Sequence, residues 1–220
     1  AYYIYYSVGE GGLGYSEQIA TSIVGAYGGL VYASAILGAW VSDRLFGAER
    51  TLFGAAIMIM LGHTSLALVP GALGLGIGLV LVAVGAGTLK ATTSTVVGDM
   101  YQRTDDRRDA AFSIYYMAVN IGGLLGPLIT GALWDTHGFH WGFGAAAVGM
   151  AIGLIQYIIM RGSTLKGVGV DVPDPLPRPQ RVRYLGGGLV VVVLVAAAIA
   201  TGLIPLESLA NTVTAIAVIG

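Results

Sequence analysis

The chain has no cysteine, only three histidines, and little charge: Asp, Glu, Lys and Arg make up 10% of its 220 residues. Each shortage excludes something. Without cysteine there is no disulfide framework, no thiolate metal site and no cysteine nucleophile. Soluble domains carry roughly 25% charged residues, so a globule this poor in charge could not cover its surface with polar groups. A net charge of -1 supplies no basic face, so no nucleic-acid partner is expected. Enzyme signatures are missing as well. There is no His-Glu-x-x-His and no Gly-x-Ser-x-Gly, and the glycine-rich GAGTLK lacks the Gly-Lys-Ser/Thr of a phosphate loop. His137 and His140 lie three apart in a short loop without a third histidine beside them. The expectation is a protein that is not an enzyme and holds neither metal nor organic cofactor.

What the chain has instead is apolar length. Hydrophobic residues make up 55% of it and glycine 35 residues, and the mean hydropathy is +0.78. A membrane-spanning helix needs about 20 mainly apolar residues. Runs of that kind are expected at about Gln18–Val41, Thr51–Val69, Leu73–Gly98, Ala111–Trp134, Trp141–Met160 and Tyr184–Ile204, with the tail of an earlier one up to Val8 and a last run after Asn211. Such runs are too long for strands, which usually have 3–10 residues, and too continuous for the alternating pattern of a β-barrel. The fold class is therefore an all-α polytopic membrane protein. Residues 1–160 form the helical bundle, 161–183 a solvated linker with four prolines, and 184–220 a further helix and the start of another. The chain opens without a methionine inside an apolar run and stops inside another, which reads as a fragment whose first helix is truncated.

Charge placement sets the orientation. Ten of the eleven Lys and Arg residues fall in the connections after spans two, four and six, while those after spans one, three and five carry Glu10, Glu17 and Asp135. Basic loops stay on the cytoplasmic side, so the even-numbered loops are expected there, in the cytoplasmic membrane of a cell. The eleventh basic residue is Lys90, nine residues before Asp99, or about 13 Å inside its span at 1.5 Å per residue. A charge at that depth faces a partner or a cavity, yet none of the twelve acids lies mid-span. Two more polar groups sit inside spans. Asn120 needs either an interhelical hydrogen bond or a ligand, and Tyr32 needs a cavity or a partner for its hydroxyl. Gly122 and Gly126 make a small-xxx-small pair followed by Pro127, the pattern of close packing with a kink. Tyr2, Tyr3, Tyr5 and Tyr6 read as an interfacial belt.

Four stretches, in order, resemble one family. Gly38–Arg50, GAWVSDRLFGAER, resembles the cytoplasmic signature loop of the major facilitator superfamily. VYASAILGAWVSDRLFG, GTLKATTSTVVGDMY and FSIYYMAVNIGGLLGPLITGAL are similar to the second, fourth and fifth helices of its proton-dependent oligopeptide transporters, and HWGFGAAAVGMAIGLIQY fits their sixth. Ser34-Ala35 and Gly38-Ala39 stand where that family usually has Thr-Pro and Gly-Gly. The resemblance implies the six-helix N-terminal half of a major facilitator fold plus additional helices, which rocks against a C-terminal six-helix half of the same protein around a central site. It implies proton-coupled symport of di- or tripeptides, with protons as the coupling ion. Lys90 would bind the peptide carboxylate or pair with a glutamate of a first-helix Glu-x-x-Glu-Arg motif expected just before residue 1. Asn120 would hydrogen-bond the peptide, Tyr32 would line the cavity, and Asp43, Arg44 and Arg50 would form the cytoplasmic gate loop. Two other readings of the sequence stay open: a superfamily exporter or symporter of another small solute such as a drug, sugar or nitrate, and a channel or membrane scaffold. The second would need polar lining along several spans, whereas polar groups here are isolated points.

Overall fold

A computed structural model describes residues 1–200, apart from the side chains of residue 189 and residues 191–200. The end of the run expected at Tyr184–Ile204 and the last run after Asn211 lie outside the described residues. The helices are α1 (Tyr2–Tyr5), α2 (Glu17–Val41), α3 (Ala48–Leu68), α4 (Gly71–Asp99), α5 (Arg107–His137), α6 (Phe139–Thr164) and α7 (Arg178–Ala200). Among the described residues there is no strand, and five helices, α2 to α6, are long and apolar enough to cross a membrane. The expected all-α membrane bundle is the fold.

The helices run past their apolar stretches, because polar residues at a span end can stay helical where water and headgroups begin. α5 starts at Arg107, four residues before its apolar run, and α6 continues past Met160 to Thr164. α7 starts at Arg178, so the stretch between α6 and α7 is 165–177. Their ends follow local chemistry. Ser16 caps α2, its Oγ accepting the Ile19 N–H at 3.4 Å. Gly138, at φ 97°, turns α5 into α6 in a single residue. Pro127 lies inside α5 without interrupting it.

In lipid, helices associate by close packing rather than by hiding apolar surface, and small residues set the distance. α4 is the pivot, packing on α3 and on α2; α6 packs on α3, and α5 on α6. A Cβ at Gly85 would stand 2.8 Å from the Ala55 carbonyl oxygen, and one at Gly62 2.9 Å from the Gly78 carbonyl oxygen, so α3 and α4 meet through bare backbone. Gly38 does the same between α2 and α4, a Cβ there falling 2.7 Å from the Thr88 Cα. Gly122 and Gly126, the pair expected to pack closely, have nothing within 4 Å of an added Cβ. The reason is that α5 leans mainly on α6 and buries none of its residues in the described chain.

The two ends of the bundle differ. At one, Tyr3 and Ile4 are buried with Ala20, Leu66, Leu75 and Phe139. The Tyr3 ring lies 5.4 Å from Phe139 and 5.5 Å from Phe143, and Tyr2 stacks on Trp134 at 5.1 Å. Of the four tyrosines expected as a belt, Tyr3 is instead a core residue tying α1 to the α5–α6 hairpin, while Tyr2 stays half exposed and Tyr5 and Tyr6 are half-buried. The opposite end gathers Ala48, Val96 and Leu165 with Leu52, Met100 and Tyr157. The connections after α2, α4 and α6, which carry the basic residues, share that end.

Candidate functional site

The approach of α2 to α4 brings two of the sequence-predicted residues together. Thr88 Oγ1 donates to the Ser34 carbonyl at 3.4 Å, and Gly87 sits against Val31 and Ala35. One turn along on the open side, Lys90 Nζ lies 5.6 Å from the centre of the Tyr32 ring. That is a cation–π distance. Both side chains are exposed in the described chain, Tyr32 by 72%. Among the described residues no acid forms an ion pair with Lys90. Among the described residues the ammonium donates no hydrogen bond either.

Asn120 is not drawn into this pair. Its Nδ2 donates to the Tyr116 carbonyl one turn back on α5, at 2.7 Å. The bond is within its own helix rather than between helices, and it leaves the amide oxygen free on an exposed face. His137 and His140, weighed and set aside as metal ligands, go separate ways: Nδ1 of His137 pairs with Thr136 Oγ1 at 2.7 Å, and Nδ1 of His140 with the Leu66 carbonyl at 2.9 Å.

Asp43 and Arg44 sit in a π-helical turn, Ser42–Phe46, that ends at Gly47 with φ 83°. They are held by the stretch 165–177. Arg44 Nη1 pairs with Asp174 Oδ2 at 2.9 Å; the Asp174 N–H donates to the Asp43 carbonyl at 3.0 Å and the Leu176 N–H to the Arg44 carbonyl at 3.2 Å. Proline at 173, 175 and 177 leaves N–H groups only at alternate positions, and both go to this loop. Further along, Arg181 donates to the Leu45 carbonyl and lies 5.6 Å over the Phe46 ring. Gly47 is required by the same contact: a Cβ there would be 2.6 Å from the Val170 carbonyl oxygen. The proline-rich stretch, expected to be a solvated linker, is largely exposed and in this part also straps the loop at 42–47.

Sequence reasoning missed a second network at this end. Glu49 is buried at the start of α3 and accepts from Tyr157 Oη at 3.0 Å and from Arg161 Nη1 at 3.1 Å. Its N–H donates to the Gly169 carbonyl at 2.9 Å. No periodicity links position 49 to 157 and 161, so nothing in the sequence could have paired them. Arg50 makes no ion pair among the described residues and borders a cavity instead. Where α5 begins, Asp105 accepts four hydrogen bonds from three nitrogens of Arg107, at 2.7–3.2 Å, which hold its carboxyl below the usual carboxylate range.

Residues 49–174, which include this network, most of the strap and Lys90, match the family model described as PTR2, POT family. The chain belongs to the POT family. Its resemblances to curated and solved members run over nearly all of its length. It is 41% identical over 218 residues to the uncharacterized transporter YclF of Bacillus subtilis (strain 168), covering 99% of this chain and 44% of that protein. It is 39% identical over 188 residues to a di-/tripeptide transporter of Lactobacillus helveticus, covering 80% of this chain and 37% of the relative. A crystal structure of a peptide transporter POT in complex with sulfate superposes with a TM-score of 0.89 at 41% identity, over 99% of this chain and 45% of the other. This POT-family chain thus spans less than half the length of the proteins it matches.

Proposed function

We propose that the protein to which this chain belongs is a proton-coupled symporter of di- and tripeptides, working by alternating access in the cytoplasmic membrane. The observation that carries the proposal is Lys90, a lone cation inside a span, on an open face beside Tyr32. A peptide brings a carboxylate that an ammonium in a low-dielectric cavity binds well, and an apolar chain and aromatic ring that exclude water around it. In this reading Lys90 takes the peptide carboxylate, Asn120 uses its free amide oxygen on a peptide N–H, and Tyr32 packs against the bound molecule and positions Lys90. A relative named as a di-/tripeptide transporter, at 39% identity, supports the same substrate class.

The site needs a second wall, which we assign to a C-terminal half of the protein rocking against this one. Since no acid lies mid-span here, the titrating carboxylate that couples protons to the rocking is assigned to the remaining parts of the transporter. The signature loop then works from the basic end, which we place in the cytoplasm by the excess of Lys and Arg.

Lys90→Ala in the full-length protein tests this. Loss of one charge-assisted hydrogen bond, worth about 1.5–3 kcal/mol, should lower peptide affinity about tenfold to a hundredfold and abolish proton-driven uptake into vesicles while leaving the thermal melt unchanged. Normal uptake, or uptake lost only together with folding, would reject the role. Lys90→Arg keeps the charge with a larger planar head and should still impair uptake.

A further inference from the structure

The basic end holds a cavity that the proposed transport reaction does not use. It has a volume of about 300 Å³ and is bordered by Glu49, Arg50, Arg161, Leu165 and the turn from Gly167 to Val170. Its charge is not balanced. Glu49 is committed to Tyr157 and to one nitrogen of Arg161; the Arg161 guanidinium also lies 5.5 Å over the Phe53 ring, and Arg50, which borders the cavity, is in no ion pair among the described residues. Lys166, exposed, lies in sequence between the bordering residues Leu165 and Gly167.

The cavity does not stop there. At Arg161 and Leu165 it meets a second hollow of about 300 Å³ lined by Gly153, Gln156, Tyr157, Met160 and Thr164. The two adjoin as one groove along α6. From Arg161 to Gly153 is eight residues, about 12 Å of helix, most of the depth of one leaflet, half of a hydrocarbon core about 30 Å thick. Lys90 and Tyr32 stand on α4 and α2, whereas the groove lies on α6, which packs on α3 and α5.

We propose that this groove is a binding site for one anionic phospholipid: the headgroup phosphate between Arg50 and Arg161, and an acyl chain along Gly153, Tyr157 and Met160. The shape decides the class, since a phosphate site opening onto an apolar channel of most of a leaflet's depth fits a lipid and offers a free anion nothing beyond the headgroup end. Basic pockets between helices on the cytoplasmic side are where anionic headgroups settle. Two guanidinium groups can fork onto one phosphate, where a zwitterionic headgroup would bring its own cation against them. The site would tie the first turn of α3 and the last turns of α6 to the lipid composition of that leaflet.

The test is native mass spectrometry of the purified full-length transporter titrated with phosphatidylglycerol or phosphatidylcholine of identical acyl chains. A retained one-to-one phosphatidylglycerol adduct, with phosphatidylcholine at least tenfold weaker, is expected. Arg50→Gln, whose parent residue is in no ion pair among the described residues, should weaken phosphatidylglycerol about tenfold and leave phosphatidylcholine unchanged. Gly153→Leu should block the acyl groove; open space surrounds Gly153, so this variant keeps the test decisive even if Arg50→Gln does not fold. Equal binding of the two lipids, or unchanged phosphatidylglycerol binding in a folded variant, overturns the proposal. Displacement of phosphatidylglycerol by millimolar inorganic phosphate would overturn the lipid assignment in favour of a free-anion site.

Discussion

Arg161, near the end of α6, holds the buried carboxylate of Glu49 at the start of α3 across 112 positions of sequence, at 3.1 Å. A carboxylate out of water needs partners, and Glu49 has a guanidinium and a phenol. Removing the cation should therefore hurt more than removing the charge it serves. Arg161→Ala is expected to destabilise by about 1–3 kcal/mol, discounted because the Arg161 side chain is 45% exposed, and Glu49→Gln by less. Thermal melts of the two variants check the order; equal shifts would mean that the pair is screened like a surface ion pair.

Glycines at similar spacing should respond in opposite ways. Gly85→Ala pushes a methyl to within 2.8 Å of the Ala55 carbonyl oxygen and 2.7 Å of Ile59 Cγ1, so α3 and α4 must part and the melting temperature should fall. Gly122→Ala meets nothing within the chain and gains helix propensity of about 0.5–1 kcal/mol. If Gly122→Ala abolishes uptake without lowering the melt, its open face is a contact surface for the rest of the transporter.

The strap should depend on its backbone more than on its charges. The Arg44–Asp174 pair is 39% and 68% exposed, and surface pairs of that kind contribute about 0–1 kcal/mol. Asp174→Ala should thus barely change the rate at which protease cuts at 165–177. Leu176→Pro removes the N–H that reaches the Arg44 carbonyl and should release the strap to cleavage. Equal protection in both variants would show that side-chain packing, not the backbone bonds, holds it.

Orientation is checked from outside the cell. A cysteine placed at Gln102, in the connection between α4 and α5 with Arg103 and Arg107, should be silent to a membrane-impermeant maleimide in intact cells and labelled after permeabilisation. One placed at Gly11, between α1 and α2, should label in both. The reverse pattern would invert the topology.

The sequence determined the spans, the class and the family resemblance, because lipid demands about 20 apolar residues per helix and leaves that count in plain view. It also singled out Lys90, since a mid-span charge is costly enough to be conspicuous wherever it occurs. What it could not say is which apolar face meets which. In a bilayer the lipid-facing and helix-facing sides are both apolar, so hydrophobic pattern does not separate Gly85, pressed on Ala55, from Gly122, which touches nothing. The same holds at the basic end. The sequence puts Glu49 and Asp174 outside the apolar runs without partners, and only the return of α6 to α3 buries the first under Tyr157 and Arg161, while the strap sets the second on Arg44. Those partners lie more than a hundred residues apart, so their pairing is a property of the packed helices and not of any local run of sequence.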